Sequence, residues 1–500
     1  MSQPPASRRR RACVLALLVA ITTACGSTVP ASQLVTGQTS GTTDTGGLLG
    51  PGVAGATSAS GETAAGSGVA AAAPSSNIGS ATAGQSGAPP VVATAPSNGA
   101  SVRVPNAGHV EVGIEYFDSS QAVALGKSVG YTVSPGYPYD EARALVAWIN
   151  QHGGLGGHLV DPVYWQFSET ASEDTNEQSA CQTWTQDHHV AAVIWPNNFS
   201  SDDLIVSCLA RAGVMLTGGA DTYLNSAQLR AMGGYLQTPY MFAGDRMYTR
   251  LIDHLVASHW FTPGGKIAVL SDDGATYAAN VKTVDQALAS HGLTAVDHAT
   301  MSTTSPEEDP SDCQSAGLRF AADRVTNIVV VDDGARAFLY CTPAFRSQSY
   351  YPKFSITSYD SPSTVQTLIP ASSLRGSAGI GWEPVNDTRP ATLNRAGNQC
   401  VSIMRSGGQN VTASAFTEAI AFAYCDGFFF LHQSYAAATS LAPSAVQQAV
   451  AALGVHYLSP ITFSTRFATG RYDGVAAAAD LAFQQSCTCY RYRAAPRPTR

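Results

Sequence analysis

Ile149-Asn150-Gln151-His152-Gly153-Gly154-Leu155-Gly156-Gly157-His158-Leu159 is the stretch that decides the fold. Upstream of it, residues 140–150 place Ala142, Leu145, Val146 and Ile149 on one face at helical spacing. Downstream, residues 160–167 read as a strand. Gly153 and Gly154 can take the left-handed backbone that ends a helix, and Gly156-Gly157 turn the chain into the strand. A helix delivered into a strand this way is one unit of an alternating α/β chain.

The alternation continues on both sides. Residues 110–116 form a short β-rich run, 177–188 a helix, 190–195 a buried strand, 204–212 a helix and 214–217 a strand. A break near 237–246 follows, and the rhythm resumes with a strand at 266–270 and a helix at 278–290. Then come a strand at 295–299, a helix at 313–322 and a strand at 327–331. Such alternation implies parallel sheets covered on both faces, and two series imply two similar α/β lobes. Residues 108–492 exceed what one hydrophobic core usually organises, which also requires two lobes.

The glycine-rich stretch resembles the signature of the leucine/isoleucine/valine-binding-protein group, which has the type 1 periplasmic binding fold. In that group a helix ends in Asn-x-x-Gly-Gly-Ile/Leu-x-Gly before a strand begins. The segment from Val193-Ile194 to Gly213-Val214-Met215-Leu216 follows the group's strand–loop–helix–strand spacing. Lys266-Ile267-Ala268-Val269-Leu270-Ser271-Asp272-Asp273 looks like the first strand of its second lobe, followed by Tyr277 and a helix. The similarity spans about residues 108–490. It implies an extracytoplasmic solute-binding receptor that serves an ABC transporter and is not an enzyme.

The N-terminal part has a different character. Arg8 to Arg11 form a basic patch, and an apolar run from Cys13 to about Ala24 is too short for the roughly 20 residues of a membrane-spanning helix. This is the layout of an export signal over 1–24. Ala24-Cys25-Gly26, with Thr22 and Thr23 before it, resembles a lipobox in which Cys25 is lipidated and becomes the new N-terminus. An ordinary cleaved signal is the alternative, and the arginines leave general secretion and the twin-arginine route undecided. Residues 25–106 are Gly, Ser, Thr, Ala and Pro with few charges, a composition that reads as a disordered tether. The remaining expected boundaries are 107–236 plus about 376–461 for the first lobe, 237–375 plus about 462–492 for the second, and a basic tail at 493–500. A monomer is expected, held at the cell membrane by its lipid.

The net charge of −8 argues against a nucleic-acid partner. The apolar run 419–430 reads as a buried helix. Of ten cysteines, setting aside Cys13 and Cys25 leaves eight, an even number suited to an oxidising compartment. Cys181 and Cys208 flank one apolar strand, Cys313 and Cys341 flank another, and Cys400 and Cys425 are similarly separated. Each pair is expected to join neighbouring helices by a disulfide. Cys487 and Cys489 fit less well, because an extended i, i+2 pair sits near the 7 Å limit, so they need a kink or other partners. No Cys-x-x-Cys or paired histidines accompany them, so no metal is expected, and no cofactor is implied. His188-His189 reads as a helix-end capping pair.

Ligands of open parallel sheets sit beyond the carboxyl ends of the strands. In the group that this chain resembles, a small polar ligand, often an amino acid, is clamped there between the lobes. Its carboxylate lies on first-lobe hydroxyls and amides, and its ammonium on an acid largely from the second lobe. The corresponding first-lobe residues are Asn197, Asn198, Phe199 and Ser200 after one strand, and Gly219, Ala220, Asp221 and Thr222 after the next. Phe199 stands where amino-acid binders usually carry serine, and Asp221 puts a negative charge near the carboxylate pocket; both depart from the group's pattern. In the second lobe the ammonium-binding acid falls at Asp360, or at Asp332 or Asp333, with Tyr277 and Tyr359 closing over the apolar part. Glu115, Tyr116 and Phe117 end the first strand and point toward the cleft mouth. No Gly-x-Ser-x-Gly elbow, His-Glu-x-x-His or phosphate loop supports catalysis. The leading reading is delivery of the ligand to an ABC permease. A sensor without transport is the second, and a secreted hydrolase the third.

Overall fold

The computed structural model describes residues 108–128, 136–168, 171–196, 204–218, 223–302, 308–332, 334–411 and 418–499. The first sheet contains β1 (His109–Phe117), β2 (Leu159–Phe167), β3 (Ala192–Trp195) and β4 (Met215–Gly218) in the order β2-β1-β3-β4, all parallel. The helix before β2 is Pro138–Gln151, whose Ala142, Leu145, Val146 and Ile149 are buried. Gly153, Gly154, Gly156 and Gly157 all have positive φ, and a Cβ on Gly154 would lie 1.9 Å from the His158 carbonyl oxygen. Asn150 has a role beyond ending the helix. Its side chain donates to the Val160 carbonyl at 3.0 Å and accepts from the Val160 N–H at 2.7 Å, locking helix end to strand start.

The second sheet runs β11-β10-β9-β8-β7-β5-β6. Its parallel part is β5 (Lys266–Asp272), β6 (Ala295–Met301), β7 (Val325–Val331), β8 (Lys353–Ile356) and β9 (Ala378–Gly381). An antiparallel extension follows: β10 (Ala477–Gln484) pairs with β9, β11 (Cys489–Tyr492) and β12 (Arg497–Pro498). The Ala-rich run Ala477-Ala478-Ala479 lacks the β-branched pattern that would mark a strand in the sequence. Because β9 completes the parallel part of the second sheet, the chain passes to first-lobe helices only after Gly381.

Three segments cross between the lobes, at about 237–243, 382–394 and 454–476. Asp473 joins the first and third by accepting from the Ala243 N–H at 3.1 Å, and it also pairs with Arg246. The helix Glu418–Ala437 packs on the first sheet, with Phe422, Phe428 and Phe430 in the same core as Val112 and Ile114. Among the described residues no helix is long and apolar enough to cross a membrane.

Disulfides join Cys181–Cys208, Cys313–Cys341 and Cys400–Cys425, as the spacing suggests. Cys487 and Cys489 also pair, with Cα atoms 5.2 Å apart. The kink that this pairing needs is at Thr488, whose φ is +52°.

Candidate functional site

The carboxyl ends of β3 and β4 point toward loops that lie outside the described residues, and with them lie Asn197, Asn198, Phe199, Ser200, Gly219, Ala220, Asp221 and Thr222. Asp333 lies outside them too. The strand ends beneath these loops are rigidly packed. Trp195 is buried and stacks on Trp165 with ring centroids 5.7 Å apart. Gly218 comes so close to the Trp195 carbonyl oxygen that a Cβ would sit 1.8 Å from it. At the end of β1, strand alternation separates the three expected residues. Phe117 belongs to the core with Trp184 and Trp195 instead of the cleft mouth, and Tyr116 packs on Tyr139 and Tyr164. Glu115 is buried, and its carbonyl accepts from the Tyr424 hydroxyl at 2.8 Å.

The second lobe brings its expected residues together. Asp332 follows β7, and Asp360 ends a turn after β8. Both are buried, close enough that each carboxyl group feels the other. Burial and then the neighbouring Asp360 push Asp332 well above the usual carboxylate range. Asp360 is pushed up to about 6 by burial, partly offset by bonds from the Thr357 N–H at 2.6 Å and the Thr357 hydroxyl at 3.1 Å. The Tyr248 hydroxyl, raised by burial and then by Asp360 and Asp332, lies among the same acids.

Beside this pair sits Arg336, only 2% exposed. Its guanidinium bonds Asp309 through two nitrogens at 2.7 and 3.2 Å, and Asp272 at 2.9 Å. A third contact goes to the Ser302 carbonyl at 2.6 Å. Asp272 ends β5 and Asp309 starts the helix Asp309–Ala322. One guanidinium therefore joins two of the carboxyl groups and lies within electrostatic reach of a third, Asp332. Among the described residues no cluster of three or more His, Cys, Asp or Glu could hold a metal ion.

Tyr277 and Tyr359 do meet, through a residue that the motif reading did not single out. Tyr223, just beyond β4, has its ring 4.6 Å from Tyr359 and 5.8 Å from Tyr277. The Tyr359 hydroxyl accepts from the Phe242 N–H and donates to the Phe242 carbonyl, both at 2.9 Å. Tyr359 thus ties the acid edge to the first interlobe crossing. The only sequence signal for Tyr223 was its position next to Thr222.

Paired parallel-sheet lobes joined by three crossings are the architecture of the type 1 periplasmic binding fold. The family model described as "Periplasmic binding protein" matches residues 140–396, just over half of the chain. The chain belongs to that family, whose members are extracytoplasmic binding proteins and not enzymes.

Solved structures share the fold. A substrate-binding protein of an ABC transporter from Aeropyrum pernix aligns at TM-score 0.59 with 12% identity, covering 78% of this chain and 96% of its own. The solute-binding protein of an R. palustris ABC transporter, in complex with 4-hydroxybenzoate, aligns at TM-score 0.57 with 12% identity over 78% of this chain and 98% of its own. The branched-chain amino acid transporter substrate-binding protein of Streptococcus pneumoniae, in complex with isoleucine, aligns at 0.54 with 15% identity over 78% and 99%. No curated protein sequence matches the chain.

Proposed function

We propose that the protein captures a small polar ligand with a positively charged group, amino-acid-like in chemistry, and delivers it to an ABC permease in the membrane. The observation that carries this reading is the acid excess: Asp272 and Asp309 share Arg336, and the buried Asp332 and Asp360 lie near one another at the same strand ends. An ammonium or guanidinium placed against such a group gains charge-assisted bonds in a site from which water is excluded. Two of the similar structures were solved with isoleucine and with 4-hydroxybenzoate, which supports a small carboxylate-bearing ligand. The family's model covers both the acid edge and the first-lobe loops. Tyr223, Tyr277 and Tyr359 would pack on the apolar part of the ligand.

Asp360→Asn tests the acid edge. The amide oxygen can still accept from the Thr357 N–H and hydroxyl, so the turn keeps its bonds. Binding should weaken by about 1.5–3 kcal/mol, roughly 10- to 150-fold, as expected for one bond to a charged group. Calorimetry with the ligand that co-purifies with the wild type reads this directly. Unchanged affinity would place the positive end elsewhere.

The anchor is the second part of the proposal. Lipidation at Cys25 would fix the protein to the outer face of the cell membrane, with residues 25–106 as tether. Cys25→Ala should then move the protein from the membrane fraction to the soluble one and abolish labelling by radioactive fatty acid. A wild type that takes up no label would remove the anchor from the account.

A further inference from the structure

We infer that the Cys487–Cys489 bridge is a thiol–disulfide exchange site for small thiols, independent of the ligand cleft. The strands β10 and β11 form a hairpin whose last pair is Gln484 with Cys489, so residues 485–488 make the turn. Cys487 sits exposed in that turn, whereas Cys489, the first residue of β11, is only 9% exposed. Between them Thr488 has φ +52°, a left-handed conformation that glycine and asparagine adopt readily and a β-branched side chain rarely does. Reduction frees Thr488 from the ring that holds it there.

The other three bridges differ in both respects. Their cysteines are 25 to 28 residues apart, so each restrains the unfolded chain far more than a bridge of separation 2. Cys208, Cys313, Cys341, Cys400 and Cys425 are buried, and Cys181 is half-buried. Exposure and conformational cost together mark a labile bridge.

The chemistry follows from the asymmetry of the pair. A small thiolate attacks the exposed Cys487 Sγ; the S–S bond breaks, and its electron pair leaves on Cys489 Sγ, which takes a proton from water. A second thiolate then attacks the outer sulfur of the mixed disulfide, releasing the oxidised small disulfide and the Cys487 thiolate. Two electrons pass from two thiols to the bridge, and the reverse sequence restores it. The hairpin survives this cycle because its hold lies elsewhere. Phe483 pairs with Tyr490, the Tyr490 N–H donates to Gln366 at 2.6 Å, and the Tyr490 hydroxyl bonds Ser377 at 3.0 Å.

The test uses the full-length native protein in glutathione buffers of increasing reducing strength, trapped with iodoacetamide and mapped by peptide mass. Cys487 and Cys489 should become alkylated at glutathione levels that leave the other three bridges intact, and the first glutathione adduct should be on Cys487. Thr488→Asn, which fits the left-handed position better, should require several-fold more thiol for half-reduction. Simultaneous reduction of all four bridges, a first adduct on Cys489, or an unchanged thiol requirement in Thr488→Asn would overturn the assignment.

Discussion

Replacing Arg336 with methionine should destabilise the protein by about 3–5 kcal/mol, the cost of leaving buried charges without their partner. The side chain is 2% exposed, and it is the cation that bonds both Asp272 and Asp309. Methionine fills much of the space but supplies no donor, so two carboxyl groups lose their shared partner in a water-poor interior. The Ser302 carbonyl loses its donor as well. Adding Asp309→Asn to the variant should recover part of the loss, because it removes one of the stranded acids. Urea unfolding of the single and double variants measures both effects. A single variant within about 1 kcal/mol of the wild type would mean that water or the remaining groups satisfy the acids, and that the charge cluster is far less confined than its burial indicates.

Stability should also fall as pH rises from about 5 to about 8, opposite to the usual behaviour of paired carboxylates. Three buried acids outside the Asp332–Asp360 edge are responsible. Burial, then Asp387, push Glu383 up to about 8; burial pushes Asp387 up to about 7 despite bonds from Tyr492 and Ser358. Asp426 is likewise pushed up to about 7 by burial, offset by bonds from Tyr457 and Ser459. In the unfolded chain such groups lose their protons near pH 4. Between that pH and 7–8 the folded protein holds more protons than the unfolded one, so the stabilisation present at low pH is lost as pH rises. Each group contributes a slope of up to about 1.4 kcal/mol per pH unit, and the combined loss between pH 5 and 8 should be on the order of 3 kcal/mol or more. Glu383→Gln should flatten the slope by about one proton while keeping a partner for Asn386, now 2.6 Å from the carboxylate. Denaturant midpoints from pH 5 to 8 check this, and stability that rises over that interval would contradict it.

Much of the architecture was legible because its determinants are local. Asn150 and Gly153-Gly154 carry their own geometric requirement, and the matched separations of Cys181–Cys208 and Cys313–Cys341 reflect one repeated helix–strand–helix unit. The antiparallel strands β10 to β12 were not, because alanine-rich segments have no period that distinguishes a sheet edge from a helix. At the acid edge, Asp332 and Asp360 were readable from their positions after strands. Arg336 was not, since its partners Asp272 and Asp309 lie 64 and 27 residues away in sequence and meet it only in the folded lobe. Tyr223 is a similar case: its contacts with Tyr277 and Tyr359 depend on how the two lobes approach. Glu383, Asp387 and Asp426 look like surface acids in the sequence, yet hydroxyls from distant segments partner Asp387 and Asp426, and Asn386 partners Glu383.

The acid edge of the second lobe is expected to receive a positively charged group of a small ligand, which mass spectrometry of the small molecule co-purifying with the full-length protein can reveal. The expected ligand is a small zwitterion or cation bearing an ammonium or guanidinium group. A co-purifying ligand with no positive group would contradict that expectation.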